Sequence, residues 1–274
     1  MDISSTTTLN NGLEMPTIGL GTYKSTAGEE ISAVKWALSA GYRAIDTASM
    51  YGNEVGIGRA ITESDVARED IFVTSKVWNT DQGYDNTHAA FAASLERLGG
   101  SYIDLYLIHW PSRTHMADTW RAMEEIYESG AAKAIGVSNF KAHHLDELFG
   151  FANTPPAVNQ IEHHPLLQQP DLIAACAERD IKVTAWAPLI RGRVNEIPEL
   201  VDIGGDVGAT PAQVTLRWML ENGVIIIPKS VREERIIENA DLFSFELTSE
   251  HIATINSLDS GERTGPDPDQ FPGT

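Results

Sequence analysis

The strongest constraint in this sequence is a pattern that it repeats. A short apolar run stops at a polar or aromatic residue, and an amphipathic segment follows. After a first run from Thr17 to Leu20 come Ala44 to Ile45 ending in Asp46, Ile71 to Ser75 ending in Lys76, and Ile103 to Ile108 ending in His109. Then come Ala134 to Val137 ending in Ser138 and Asn139, Ala157 to Asn159 ending in Gln160, Val183 to Ala185 ending in Trp186, and Val224 to Pro228 ending in Lys229. These runs read as buried strands. In a parallel sheet their carboxyl ends share one edge, and that edge is where barrels and open sheets build their sites.

The segments between the strands carry helical spacing. Ile31, Val34 and Leu38 fall on one face of Glu29 to Ala40, and helices are expected at Glu54 to Ile61, Thr87 to Leu98, Ala117 to Glu128, His143 to Phe149, Pro170 to Arg179, Pro211 to Glu221 and Glu233 to Asn239. Gly41, Gly99, Gly130, Gly150 and Gly223 stand where the chain turns back. Eight strand-helix units in about 250 residues are the size of a closed (β/α)8 TIM barrel. An open doubly wound sheet fits less well. Its dinucleotide fingerprint, Gly-x-Gly-x-x-Gly after the first strand, lacks its third glycine in Gly19-Leu20-Gly21-Thr22-Tyr23-Lys24. Asn11-Gly12 marks an N-terminal β-hairpin ahead of the barrel. A long connection runs from Trp186 to Pro211, and an extra helix, Thr248 to Leu258, precedes a tail rich in Pro and Gly that is either disordered or folded over the barrel mouth. With no linker in the chain, residues 1–274 are expected to form one domain.

A net charge of -19 and a pI near 4.7 argue against nucleic acid as a partner, because phosphate affinity rests on Lys and Arg. The acidic surface fits solubility first and adaptation to high salt second. Cys176 is the single cysteine, so no intramolecular disulfide is possible and a reducing compartment is expected. No segment approaches membrane-spanning length, and no basic region followed by an apolar run opens the chain. The expectation is a cytoplasmic monomer with no membrane association. His143-His144 and His163-His164 are adjacent pairs rather than pairs at the i, i+4 spacing of helical metal ligands, so no metal is expected.

Three further stretches carry a resemblance. Gly41 to Gly58, Lys133-Ala134-Ile135-Gly136-Val137-Ser138-Asn139-Phe140, and Ile227-Pro228-Lys229-Ser230-Val231-Arg232-Glu233-Glu234-Arg235-Ile236-Ile237-Glu238-Asn239 resemble, in order, signatures of the aldo-keto reductase family. The likeness extends over nearly the whole chain and is greatest to short bacterial members such as the 2,5-diketo-gluconate reductases. It implies a catalytic set of Tyr51, Lys76, Asp46 and His109. Tyr51 would protonate a carbonyl oxygen as hydride reaches the carbon. A phenol has a pKa near 10, so Lys76 would lower it by charge, Asp46 would pair with Lys76, and His109 would orient the carbonyl. Lys76 alone also fits the Schiff-base lysine of an aldolase-like barrel.

The resemblance also implies NADPH. Trp186 would stack on the nicotinamide, Ser138, Asn139 and Gln160 would bind its carboxamide, and Thr22, Pro188 and Leu189 would contribute to the rest of the cofactor site. Lys229, Ser230, Val231, Arg232 and Arg235 would take the 2'-phosphate, with Glu238 and Asn239 at the adenine. Three cations at a helix start in so acidic a chain fit a phosphate monoester, although pairing with Glu233, Glu234 and Glu238 is the simpler alternative. Tyr23, Trp78 and Trp110 form an expected aromatic collar for substrate. The implied function is reduction of aldehydes, dicarbonyls or keto sugars. A second possibility is an NADPH-binding regulatory or channel-associated subunit with little turnover.

Overall fold

The computed structural model describes residues 1–26 and 28–271. Residues 27 and 272–274, which the single-domain reading includes, lie outside the described residues. The hairpin comes first. Strand β1 (Thr6–Thr8) pairs antiparallel with β2 (Glu14–Pro16), and the Asn11 side chain accepts from the Leu13 N–H at 3.1 Å to fix the turn. Parallel strands β3 (Leu20–Gly21), β4 (Ala44–Asp46), β5 (Phe72–Val77), β6 (Ile103–Ile108), β7 (Ala132–Ser138), β8 (Val158–Glu162), β9 (Lys182–Trp186) and β10 (Ile225–Ile226) then pair in chain order. The sheet curls shut at a seam where Ile18 bridges Ile226, Gly21 bridges Lys229, and the Gly19 N–H donates to the Ile226 carbonyl at 2.8 Å. This is the expected TIM barrel. The first barrel strand lies slightly later than Thr17 to Leu20, because the seam pairs only through isolated bridges. It is also close-packed: a Cβ on Gly21 would stand 2.6 Å from the Ile227 oxygen.

Helices α1 (Glu29–Ser39), α2 (Glu54–Thr62), α3 (Tyr84–Leu98), α4 (Met116–Glu128), α5 (Ala142–Phe149) and α6 (Pro170–Ala177) follow their strands. Next come α7 (Pro198–Val207), α8 (Pro211–Glu221), α9 (Glu233–Glu238) and α10 (Ser249–Asn256). The Trp186 to Pro211 connection, expected as a long loop, instead contains a 3-10 segment, Ile190–Glu196, and then α7. Gly204 and Gly205 argue against a helix by propensity. Tertiary packing overrides them, since a Cβ on Gly204 would lie 2.6 Å from the Ala209 oxygen, an approach that glycine alone permits.

Strand periodicity then sorts the barrel interior into layers, because alternate residues face inward. The lower layer is apolar: Ala44, Phe72, Leu105, Leu107, Ala134, Val158 and Ile225 pack with Leu9 and Met15 of the hairpin. The hairpin thereby plugs that end. Two or four residues further along stand Asp46, Lys76, His109, Ser138 and Gln160, an inward polar layer at the carboxyl edge. Gly136 leaves room between the layers, since a Cβ there would be 2.6 Å from the Val158 oxygen and 2.8 Å from Leu107 Cδ2.

Candidate active site

The register of β4 and β5 brings Asp46 and Lys76 together above the apolar layer. Lys76 is 0% exposed, and its Nζ donates to Asp46 Oδ1 at 2.6 Å and to the Thr47 carbonyl at 2.8 Å. Gln160 Nε2, from β8, donates to Asp46 Oδ2 at 2.6 Å. Tyr51 arrives on a 3-10 turn, Ser49–Tyr51, with its hydroxyl 3.5 Å from Lys76 Nζ. That turn is pinned at both ends. Ser49 Oγ donates to the Lys76 carbonyl at 3.0 Å, and the Asn53 amide donates to the carbonyls of Thr22 and Ser25 while accepting from the Thr47 hydroxyl. Beneath it, the buried Glu54 carboxylate pairs with Arg97 at 2.6 Å. His109, just beyond β6, lies edge-on to Tyr51 with ring centroids 5.6 Å apart.

The electrostatics differ from the sequence expectation at one point. Burial, and then the Asp46 charge, push the Tyr51 hydroxyl well above the usual phenol range rather than below it. Lys76 and Asp46 form a nearly neutral pair, so the ammonium does not act on Tyr51 as an isolated charge, and the phenol keeps its proton. Burial pulls the Lys76 ammonium down while Asp46 opposes that pull. Burial and the Lys76 charge hold His109 well below the ordinary histidine range, so its imidazole is neutral. Its Nδ1 is buried without a partner among the described residues, which favours a lone pair there and the proton on Nε2.

A cleft of about 850 Å³ opens over these groups. It is lined by Asp46, Tyr51 and His109, and at the same end by the aromatic collar Tyr23, Trp78 and Trp110. Ser138, Asn139, Gln160, Trp186, Pro188 and Leu189 also line it, as do Lys229, Ser230, Val231, Arg232, Arg235, Glu238 and Asn239. Lys76 stands behind the wall. Thr22 is also withdrawn: it is buried, and its hydroxyl donates to the Asp46 carbonyl at 2.8 Å, so the side chain braces β4 and does not line the cleft. Trp186 is held by its indole N–H on Asn139 Oδ1 at 2.8 Å, and Asn139 Nδ2 donates to the His109 carbonyl at 2.9 Å. Lys229, Arg232 and Arg235 make no ion pair among the described residues, although the chain carries 39 acidic residues. Glu238 accepts from the Thr210 hydroxyl at 2.7 Å instead. This part of the lining is therefore a group of cations, unmatched among the described residues and suited to an anion.

Sequence reasoning missed Met50, Arg191, Asn195 and Phe271 in the lining. Phe271 is the farthest from any motif. It stacks on Trp110 with centroids 4.2 Å apart and stands edge-on to Trp78 at 5.9 Å. The tail carries it there. Glu162 accepts from the Thr264 and Gly265 N–H groups at 2.6 and 3.1 Å, and Lys141 reaches Asp267 and Asp269 at 2.6 Å each. His143 and His144, set aside on spacing, meet Asp269 at 3.0 and 3.4 Å. His144 Nδ1 accepts from the Lys141 N–H at 3.1 Å, which puts the proton of the neutral ring on Nε2, facing the carboxylate. The cluster thus holds the tail by hydrogen bonds and charge.

The model of the Aldo/keto reductase family matches residues 17–260. The chain belongs to the aldo/keto reductase family. Among family members, the glyoxal reductase of Bacillus subtilis (strain 168) is 51% identical over 270 residues, covering 98% of each chain. An aldo-keto reductase from a Medee basin deep-sea metagenome library superposes with a TM-score of 0.95 at 45% identity, covering 97% of this chain and 99% of that one. A Bombyx mori aldo-keto reductase solved in complex with NADP gives 0.90 at 35% identity, covering 98% and 97%. No helix among the described residues is long and apolar enough to cross a membrane.

Proposed function

We propose that this chain is an NADPH-dependent reductase of small carbonyl compounds, with Tyr51 as proton donor. The observation that carries the reading is the cleft itself: it brings a neutral phenol beside a buried Lys76–Asp46 pair into one lining with cations that have no acidic partner among the described residues. Bound NADPH supplies the hydride. Its 2'-phosphate suits Lys229, Ser230, Arg232 and Arg235, and its carboxamide suits the polar groups of Ser138, Asn139 and Gln160. The relatives named as reductases of glyoxal and methylglyoxal place dicarbonyls first among the substrates to test.

The chemistry follows from the groups present. A carbonyl oxygen seated between Tyr51 and His109 meets two donors, the phenol O–H and the imidazole Nε2–H. Negative charge that develops on that oxygen draws the Tyr51 proton across. The phenolate left behind is stabilised by the Lys76 ammonium, 3.5 Å from the hydroxyl, and Asp46 keeps that ammonium charged and in place. Trp78, Trp110 and Phe271 exclude water and offer planar faces to the rest of the substrate.

Replacing Tyr51 by Phe tests this. Turnover of methylglyoxal should fall by about 10²- to 10⁴-fold, the usual range for a positioned proton donor, while NADPH binding followed by fluorescence stays near normal. Unchanged turnover would remove Tyr51 from the role. Nothing in the fold or among the relatives supports a regulatory or channel-associated subunit. The aldolase-like alternative predicts borohydride trapping of substrate on Lys76, and a trial that traps none would close that route.

A further inference from the structure

Most arginines of this acidic chain are held by a partner. Arg59, Arg68, Arg97 and Arg193 meet carboxylates at 2.6 to 2.8 Å, and Arg43, Arg113 and Arg191 donate to backbone carbonyls. Arg232 and Arg235 are different. Both are exposed, both line the cleft, and among the described residues neither guanidinium makes an ion pair or a hydrogen bond. Arg232 is engaged through its backbone alone, whose N–H donates to Ser230 Oγ at 3.1 Å. An acidic partner occupies the nitrogens of a guanidinium and stabilises its charged form, so an arginine without one is the more open to an electrophile. The cleft that these two side chains line is also the one that a carbonyl compound enters to reach Tyr51 and His109.

We infer that Arg232 and Arg235 are a covalent modification site for α-dicarbonyls, and that the adduct disables the cofactor site. The inference rests on the reductase reading above and extends it to the cofactor-free protein. An α-dicarbonyl presents two adjacent electrophilic carbons, and a guanidine presents two nitrogens that can meet them both. A monocarbonyl, or the single nitrogen of Lys229, closes no such ring. With methylglyoxal, one nitrogen adds to each carbonyl carbon and each oxygen takes up a proton, which gives a five-membered dihydroxyimidazolidine. Loss of one water and a proton shift between the two carbons leave a hydroimidazolone. The former aldehyde carbon is thereby oxidised to an amide carbonyl and the former ketone carbon reduced to C–H, so no outside oxidant or reductant takes part. The product is an acylguanidine, too weak a base to keep its proton near neutral pH, and the site loses a positive charge. The 2'-phosphate of bound NADPH covers the same two side chains. Cofactor thus shields what free dicarbonyl attacks, and dicarbonyl in excess of NADPH closes the enzyme to its own reductant.

Exposure of the cofactor-free protein to methylglyoxal, followed by proteolysis and peptide mass spectrometry, tests this. Peptides carrying Arg232 and Arg235 should gain the mass of methylglyoxal, whole or less one water, before those of the other arginines. Saturating oxidised NADP, which cannot consume the dicarbonyl, should suppress that gain. The adduct should weaken NADPH binding by about tenfold, as expected when a charge-assisted contact to phosphate is lost, and leave NADH binding nearly unchanged. In the double variant Arg232→Lys, Arg235→Lys the charges remain but the ring cannot close, so after the same exposure it should hold its own untreated NADPH affinity while the wild type loses its own. Even labelling of all arginines, labelling that NADP does not reduce, or equal loss of affinity in the double variant, in a chain that reduces methylglyoxal, would overturn the inference and leave the functional reading intact. Should the two arginines be labelled first and shielded by NADP in a chain that reduces no carbonyl, the functional reading fails and the modification site stands.

Discussion

Lys76 occupies a position where a lysine is tolerated only with partners, since an unpaired buried charge is strongly destabilising. Replacing it by Met leaves Asp46 buried with a single neutral donor. The expected outcome is loss of activity together with about 3–5 kcal/mol of stability, read by denaturant unfolding. Pairing that change with Asp46→Asn should restore much of the stability and none of the turnover, which separates the charge balance from the chemistry. Among the lining cations, Arg235→Ala should weaken NADPH binding by about tenfold and leave NADH binding nearly unchanged, as expected for a group that meets only the 2'-phosphate. The grouping of Asp46, Tyr51, Lys76 and His109, proposed above as the catalytic set, was legible because each stands at or just past the end of an apolar strand. The Gln160–Asp46 bond was not. Contact across a barrel depends on its closed diameter, which strand patterns do not encode. The high Tyr51 pKa was hidden for a related reason, because it is set by depth of burial and by Asp46 rather than by the presence of Lys76.

The C-terminal tail is an element without regular structure that nevertheless completes the pocket. Its hold at Lys141 is partly exposed and shared between two carboxylates, so Lys141→Ala should loosen Phe271 without touching the reacting groups. KM for an aromatic aldehyde should rise several-fold with kcat little changed, the signature of lost binding common to ground and transition states. Truncation before Asp267 should act in the same direction. The barrel strands and most helices were readable to within a few residues from period and end signals. Helix α7 was not, because its paired glycines contradict helix propensity and only the packing of Gly204 on the Ala209 carbonyl explains them. Phe271 was equally silent, since no local pattern says that a residue so near the chain end will stack on Trp110.

At the scale of the molecule, buried histidines tie stability to pH. His163 is stacked on Trp218 and donates through Nδ1 to the Gln168 carbonyl, and burial brings its pKa down to about 4. Burial pulls His109 and His144 down as well. A depressed histidine is neutral when folded and takes up a proton on unfolding below its ordinary pKa of about 6.5, so stability is lost as pH falls from about 6.5 towards 4. Thermal unfolding midpoints should therefore drop between pH 7 and pH 5. His163→Gln should flatten that slope by up to one proton, about 1.4 kcal/mol per pH unit. A slope unchanged by the substitution would assign the dependence elsewhere. The plugged end of the barrel has a consequence of its own. With Leu9 and Met15 sealing one end, the interior opens, among the described residues, through the cleft above Tyr51, and in the proposed role each proton that Tyr51 gives up must be replaced through the opening by which product leaves. Resupply and exit thus share one passage, so whatever slows the clearing of the mouth also delays the recharging of the acid.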